Sequence, residues 1–403
     1  MIRTPSVPRA LLPLTAAAGL LLTTACGGSG GGSGSSGAGG AHGAEDVKVG
    51  MTPADRTKGA AAGTPITLKV TSGAGSLAEV TVTDQHGRRL DGRLSADGRS
   101  WTSGSGTRPA STYKVGYTAK AEGGGKRSGS GTVTTAAPEK PNKLELVPGN
   151  GSTVGVAQPV SVLFDHPVTD AQKADIERNL RVETSPRTEG SWGWVKDLDH
   201  KDRIDWRPKD FWKPGTKVEL KGDLAGLPSG QGRAFARDYA TAFTVGENRV
   251  VTVDVAGHRM SVAEGGKEVA SYPISAGSDT YPTRGGTHVV LTKNAHETMK
   301  SESVGLGDAY PSLPTTSVVH LTESGTFIHA ADWNADVIGS VNKSHGCVGM
   351  LSGDAKKLFD RIRVGDPVVV KNTKNTEATE LGNGFGAWQL TWPEWKARSA
   401  LKG

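Results

Sequence analysis

The sequence predicts a mostly-β chain: two small β-sandwich modules, a third β-rich domain with one main helix, and a tryptophan-containing C-terminal extension. Three observations predict it. Short runs alternate apolar and polar residues with period two, as Ile66, Leu68 and Val70 do against Thr67, Lys69 and Thr71. Turn signals such as Gln85-His86-Gly87 and Ala96-Asp97-Gly98 separate those runs. One clear segment, near residues 354–363, carries apolar positions at helical spacing. A chain of 403 residues has room for roughly two to four domains.

At the N-terminus, Arg3 and Arg9 are the only charges before the apolar and small residues of positions 10–25. Residues 1–25 read as a secretory signal peptide, too short and too early for a spanning helix. The segment ends in Thr23-Thr24-Ala25-Cys26, which resembles a bacterial lipoprotein processing site. Cys26 would take the lipid and become the mature N-terminus. Thr23 stands where an aliphatic residue is usual, with Leu22 one place earlier, and plain secretion with cleavage near Ala16-Ala17-Ala18 is the alternative. Residues 26–43, after Cys26 almost entirely Gly, Ser and Ala, read as a flexible lipid-anchored tether. The expected place is extracytoplasmic, anchored to the outer face of the cell membrane and reaching into the cell wall.

The chain holds two cysteines, and the processing site accounts for Cys26. No structural disulfide is expected, so stability must come from packing. Loss of the signal removes Arg3 and Arg9 and no acid, so the formal net charge of +6 falls by two. The remaining mild basic excess suits work among anionic wall polymers or lipid headgroups. It is diffuse, with no basic cluster between aromatics, which excludes a nucleic-acid partner.

Residues 44–137 form the first sandwich, with Val80 and Val82 and then Tyr113, Val115 and Tyr117 continuing the alternation. Residues 138–246 form the second. It has a strand at 160–164, a short helix within 168–180, and Trp206-Arg207-Pro208 and Trp212 as packing tryptophans. Residues 247–371 open with strands at 250–255, 260–263 and 268–275, and add another at 287–291. Ser352 caps a helix over 354–363 with Leu358, Phe359 and Ile362 on its apolar side, and 366–370 closes the sheet. In the extension, 372–403, Trp388, Trp392 and Trp395 recur at near-helical spacing interrupted by Pro393. That tail is expected to pack back on a domain surface.

Ser344-His345-Gly346-Cys347, with His329 upstream, carries the chemistry. Thiolate is the nucleophile, and an unperturbed cysteine has a pKa of about 8.5. An imidazole can take its proton or hold it as an ion pair. His329 ends the apolar strand Thr326-Phe327-Ile328, and His345 lies two residues from Cys347 on the same side of an extended chain. Gly346 permits unusual backbone angles, so the amides of Gly346 and Cys347 could face a developing oxyanion. Two other readings stand beside catalysis. A strand cysteine is often a small buried hydrophobe. A Cys with two His could hold a metal, although no second cysteine or spaced carboxylate set accompanies it, so no metal or cofactor is expected.

His329, fourteen intervening residues and Ser344-His345-Gly346-Cys347-Val348 resemble the signature of L,D-transpeptidases with a YkuD-type catalytic domain. Pro282-Thr283 and Gly285-Gly286 match the family's turn before its lid. Residues 80–84 through Trp101, and the Trp206 to Trp212 region, resemble the two immunoglobulin-like modules of the actinobacterial lipoprotein-type members. The tail after Lys371 resembles their C-terminal extension.

The resemblance implies an enzyme acting on peptidoglycan stem peptides, as a monomer held to the membrane by its lipid. Cys347 would attack the third-residue carbonyl of a tetrapeptide stem, release D-Ala and hold a thioester. A side-chain amine of a neighbouring stem would then complete a 3→3 cross-link. His329 would be the base, and His345 would orient or stabilise the site beside Ser344 and Gly346. The family's lid falls on about 296–316, with Met299 and Tyr310 facing substrate. Three positions depart from the pattern: Gly349 replaces Asn or Arg, Ala330 replaces Ser, and Glu323 stands where a tyrosine is common. An L,D-carboxypeptidase, with water resolving the thioester, would use the same residues. A degenerate wall-binding lipoprotein would explain the three departures.

Overall fold

The computed structural model describes residues 47–301 and 312–401. The signal peptide, Cys26, the tether and Tyr310 with the centre of the expected lid lie outside the described residues.

The alternating runs form paired sheets with apolar inner faces. In the first pair, Lys48–Thr52, Thr67–Ser72, Ser100–Ser103 and Gly92–Leu94 face Thr57–Ala60, Lys126–Thr135, Thr112–Ala121 and Gly75–Thr83. Ile66, Leu68, Val82, Tyr113 and Val115 fill the space between. A second pair combines the sheet of Thr153–Val154, Tyr239–Val245, Lys217–Gly222 and Leu180–Ser185 with that of Gly190–Lys196, Asp202–Pro208, Val160–Phe164 and Leu144–Val147. The short helix runs Asp170–Arg178. Trp206 and Trp212 are core residues, stacked with ring centroids 5.3 Å apart.

The third unit has a five-stranded sheet ordered Lys267–Pro273, Arg259–Glu264, Arg249–Asp254, Pro367–Lys371, Gly286–Val289. Pro367–Lys371 does not close this sheet. It lies inside, parallel to Arg249–Asp254, with Val368 and Val370 buried. A four-stranded sheet orders Thr292–Met299, Leu313–His320, Phe327–Ala330 and Val348–Met350. Its first two strands form an antiparallel hairpin paired from Thr292↔His320 to Met299↔Leu313. The arms of the expected lid are therefore sheet. The main helix, Ser352–Arg361, lays Ala355 and Leu358 against the middle of this sheet.

Two local expectations need correction. Ser352 does not cap the helix; it is the first helical residue, and Leu351 holds the cap position. The Asp332 carboxylate serves the helix start instead, accepting the Ser352 N–H at 2.8 Å and the Ser352 hydroxyl. Pro393 does not interrupt the tail helix either. It sits in the first turn of Trp392–Lys396, where a missing N–H is harmless, behind a Thr391/Glu394 capping box.

The tail does pack back on the second sandwich. Trp395 is fully buried and its Nε1 donates to Ser191 O at 3.0 Å. Gly193 makes room, since a Cβ there would lie 2.7 Å from the Trp395 ring.

Candidate active site

Parallel pairing of Phe327–Ala330 with Val348–Met350 sets Ile328 beside Val348 and His329 beside Gly349. Alternation then sends Ile328, Ala330, Val348 and Met350 into the core under the helix. His329 and Gly349 face the other way. Cys347 immediately precedes the second strand, and His329, Cys347 and Gly349 line one cavity of about 420 Å³. Met299 and Leu313 from the hairpin, Trp333, and Ser344, His345 and Gly346 also line it.

His329 is buried, and its Nδ1 lies 2.8 Å from Ala330 O. A carbonyl only accepts, so Nδ1 carries the hydrogen and Nε2 keeps its lone pair. Burial also holds the imidazole below its ordinary pKa, against the Ala330 hydrogen bond, which favours the neutral ring. The Ala330 carbonyl accepts a second bond from Thr315 Oγ1 at 2.6 Å. The residue after His329 thus orients the ring through its backbone, a task that needs no serine side chain. The Trp333 ring stacks 5.8 Å from the imidazole at 20° and limits its tilt.

Cys347 is half-buried as a residue, but its sulfur points inward, 3.4 Å from Gly325 O. Burial pushes the thiol up to about 11, with the Glu297 carboxylate adding to the rise and the Phe327 amide opposing it. The resting site therefore holds a neutral thiol near a neutral imidazole, not an ion pair. Ionisation has to accompany attack, with Nε2 as the available acceptor.

The nucleophile loop is held by its own polar groups. Ser344 Oγ accepts the Gly346 N–H at 3.1 Å and donates to Cys347 O at 2.6 Å. Gly346 sits at φ +122°, where a side chain would be strained. Of the two amides expected at an oxyanion, the Gly346 N–H is thus already engaged. Upstream, Asn342 accepts the Ala276 N–H at 2.9 Å and donates to Val255 O at 2.9 Å, which fixes the loop to the five-stranded sheet. The Tyr281 ring lies 4.8 Å from that of His345.

The structure brings together Met299, His329, Ser344, His345, Gly346, Cys347 and Gly349. It does not bring Glu323. That residue lines a separate cavity of about 230 Å³ with Arg203, His320 and Phe385, where burial raises its carboxyl. The neighbours Ser324 and Gly325 face the catalytic side instead, because the chain turns there. Sequence reasoning missed Trp333 and Lys343 as lining residues. The legible signal was a tryptophan four residues past His329; the structure leaves Trp333 44% exposed. No cluster of three or more His, Cys, Asp or Glu able to hold a metal occurs among the described residues.

Comparison with known proteins matches two regions of the chain. An L,D-transpeptidase catalytic domain matches residues 248–370, and a bacterial Ig domain matches residues 57–228. L,D-transpeptidase 2 of Mycobacterium tuberculosis is 32% identical over 339 residues, 83% of this chain and 80% of that protein. L,D-transpeptidase 5 of the same species is 31% identical over 352 residues, 87% of this chain and 76% of that protein. A solved L,D-transpeptidase from Mycobacterium smegmatis is 29% identical, spans 58% of this chain and 100% of its own, and has a TM-score of 0.46.

Proposed function

This chain belongs to the L,D-transpeptidases with a YkuD-type catalytic domain preceded by bacterial Ig modules, and we propose that it forms 3→3 cross-links between peptidoglycan stems through a Cys347 thioester. Membership supports cysteine-dependent acyl transfer in the cell wall. The single observation that supports a thiol nucleophile with a histidine base is that Cys347 and His329, whose Nδ1 is held by the Ala330 carbonyl, line one cavity.

The steps balance as follows. The Cys347 proton passes to His329 Nε2 as sulfur attacks the donor carbonyl. Collapse breaks the amide bond, and the departing D-Ala amine takes that proton from the imidazolium. The acceptor amine then attacks the thioester and gives a proton to His329, which returns it to the leaving sulfur. His345, beside Tyr281, borders the cavity and helps hold the nucleophile loop. Met299 and Leu313 put apolar side chains in the cavity wall, which disfavours water at the thioester and so favours transfer over hydrolysis. Lipidation at Cys26 would keep the enzyme at the outer membrane face. No helix among the described residues is long and apolar enough to cross a membrane.

The test incubates residues 44–403 with purified disaccharide-tetrapeptide and reads products by mass spectrometry. A dimer lacking one D-Ala establishes transpeptidation. Tripeptide alone makes the protein a carboxypeptidase. Unchanged substrate, together with no labelling of Cys347 by a carbapenem, leaves the wall-binding reading.

A further inference from the structure

The peptide that joins Gly346 to Cys347 is gripped from behind by a threonine far away in sequence. Thr283 Oγ1 accepts the Gly277 N–H at 2.8 Å and donates to Gly346 O at 2.9 Å. The direction of both bonds is forced. Gly277 N–H can only donate and Gly346 O can only accept, so the one hydroxyl proton goes to Gly346 O. Thr283 is 1% exposed and does not line the catalytic cavity.

Its own position is fixed. Thr373 Oγ1 donates to Thr283 O at 2.6 Å. A Cβ at Gly277 would lie 2.2 Å from Tyr281 O and 2.5 Å from Thr283 N, so only glycine lets the two sides of this turn approach this closely. The hydroxyl is therefore delivered to Gly346 O by a tight turn.

A trans peptide sets its C=O and N–H in opposite directions. Holding the Gly346 carbonyl toward Thr283 aims the Cys347 N–H away from it. The Gly346 N–H is committed to Ser344, and the Cys347 N–H meets no acceptor among the described residues. At φ +122° Gly346 tolerates either orientation of this peptide, so an external bond has to choose one.

We propose that Thr283 is a positioning residue whose hydroxyl locks the Gly346–Cys347 peptide, so that the Cys347 N–H is preset as the oxyanion donor. The proposal rests on Cys347 being the nucleophile. Without the hydroxyl the peptide rotates, the N–H is lost to the reaction, and a carbonyl dipole turns toward the developing negative charge.

Thr283→Val keeps the shape and removes the hydroxyl; Thr283→Ser restores it. Two rates on Cys347 are compared in the full chain. Acylation by disaccharide-tetrapeptide or by a carbapenem passes through an oxyanion. Alkylation by iodoacetamide displaces iodide from a saturated carbon and forms none. Thr283→Val should slow acylation about 10- to 100-fold, less than the full loss of an oxyanion donor, with KM little changed. Alkylation should stay within about twofold, and Thr283→Ser should recover most of the acylation rate. Should Thr283→Val fail to fold, Thr283→Ala removes the same hydroxyl without demanding space. Wild-type acylation in a folded variant overturns the proposal, as does an equal fall in acylation and alkylation. If the unaltered protein shows no acylation of Cys347 at all, the nucleophile reading itself fails.

Discussion

Two regions bury polar and aromatic groups at comparable depth: the catalytic cavity and the seam where the C-terminal tail meets the second sandwich. In the seam, Arg203 is 2% exposed and bonds Asp205, Gly384 O and Leu381 O. Arg207 donates to three backbone carbonyls and lies 4.5, 5.3 and 5.6 Å from the Trp388, Trp392 and Trp395 rings. Burial pulls the Arg207 guanidinium down to about 10. In the cavity, burial moves Cys347 up to about 11 and His329 down. The perturbations are alike in cause. What separates the regions is that the two arginines are committed to a carboxylate, backbone carbonyls and rings, with Arg207 Nε left unpartnered, whereas His329 and Cys347 line an open cavity. A shifted pKa marks burial; only with space for a substrate does it mark a site.

The sharpest break between the regions is Cys347→Ala. Turnover should fall below detection while the thermal midpoint stays within a few degrees, since the sulfur makes only weak protein contacts among the described residues, a 3.4 Å approach to Gly325 O and the Phe327 amide. Retained turnover in that variant would end the thiol mechanism.

His329→Gln comes next, with kcat expected to drop about 10²- to 10⁴-fold. The pH profile of the unaltered enzyme sharpens the point. The base must be neutral, and burial holds its pKa below the ordinary imidazole value. Activity should therefore persist at pH 6.5 and be lost only as pH falls through that depressed value. An acid limb centred at or above 6.5 would contradict a buried His329 as the base.

On the seam, Trp395→Ala should cost about 3–5 kcal/mol of stability, measured by denaturant unfolding. Its ring fills the space over Gly193 and supports Arg207. Turnover of the protein that remains folded should change little. A selective loss of kcat, with stability intact, would mean the tail acts on the chemistry.

How much of this was legible follows from what is local and what is not. Period-two alternation exposed Ile66, Leu68, Val70 and Val160 to Phe164 as strands because burial of one face is written residue by residue. Pairing order is not local, so Pro367–Lys371 looked like a closing strand and lies inside its sheet. Asp332 reaches Ser352 across twenty positions, so the helix start had an unseen partner. The same holds at the site. His329 and the 344–347 block were readable from residue type and spacing, whereas Thr283 acts across sixty-three positions. Glu323 lies outside the catalytic cavity although Ser324 and Gly325 line it, because one step along a turn moves a side chain to the opposite side.

The smallest expected effect decides how much the departures from the family pattern matter. Gly349 stands directly beside His329, and its backbone exchanges hydrogen bonds with Ser275 at 2.8 and 3.0 Å. Its φ is not positive, so a side chain is not excluded by the backbone. A Cβ there would meet Ala331 Cβ at 3.0 Å, a contact that a shift of a few tenths of an ångström relieves. Gly349→Ala adds slight overpacking and reduces the entropy of the unfolded chain, and the two effects should offset to within about 1 kcal/mol. Gly349→Asn projects an amide from the strand beside the imidazole. If His329 is already oriented by Ala330 O and Trp333, the amide has little left to add, and kcat/KM should change by no more than about threefold, well below the effect of removing a catalytic group. A gain of a hundredfold would instead show that the glycine left the cavity incomplete, and would move this chain toward the wall-binding reading.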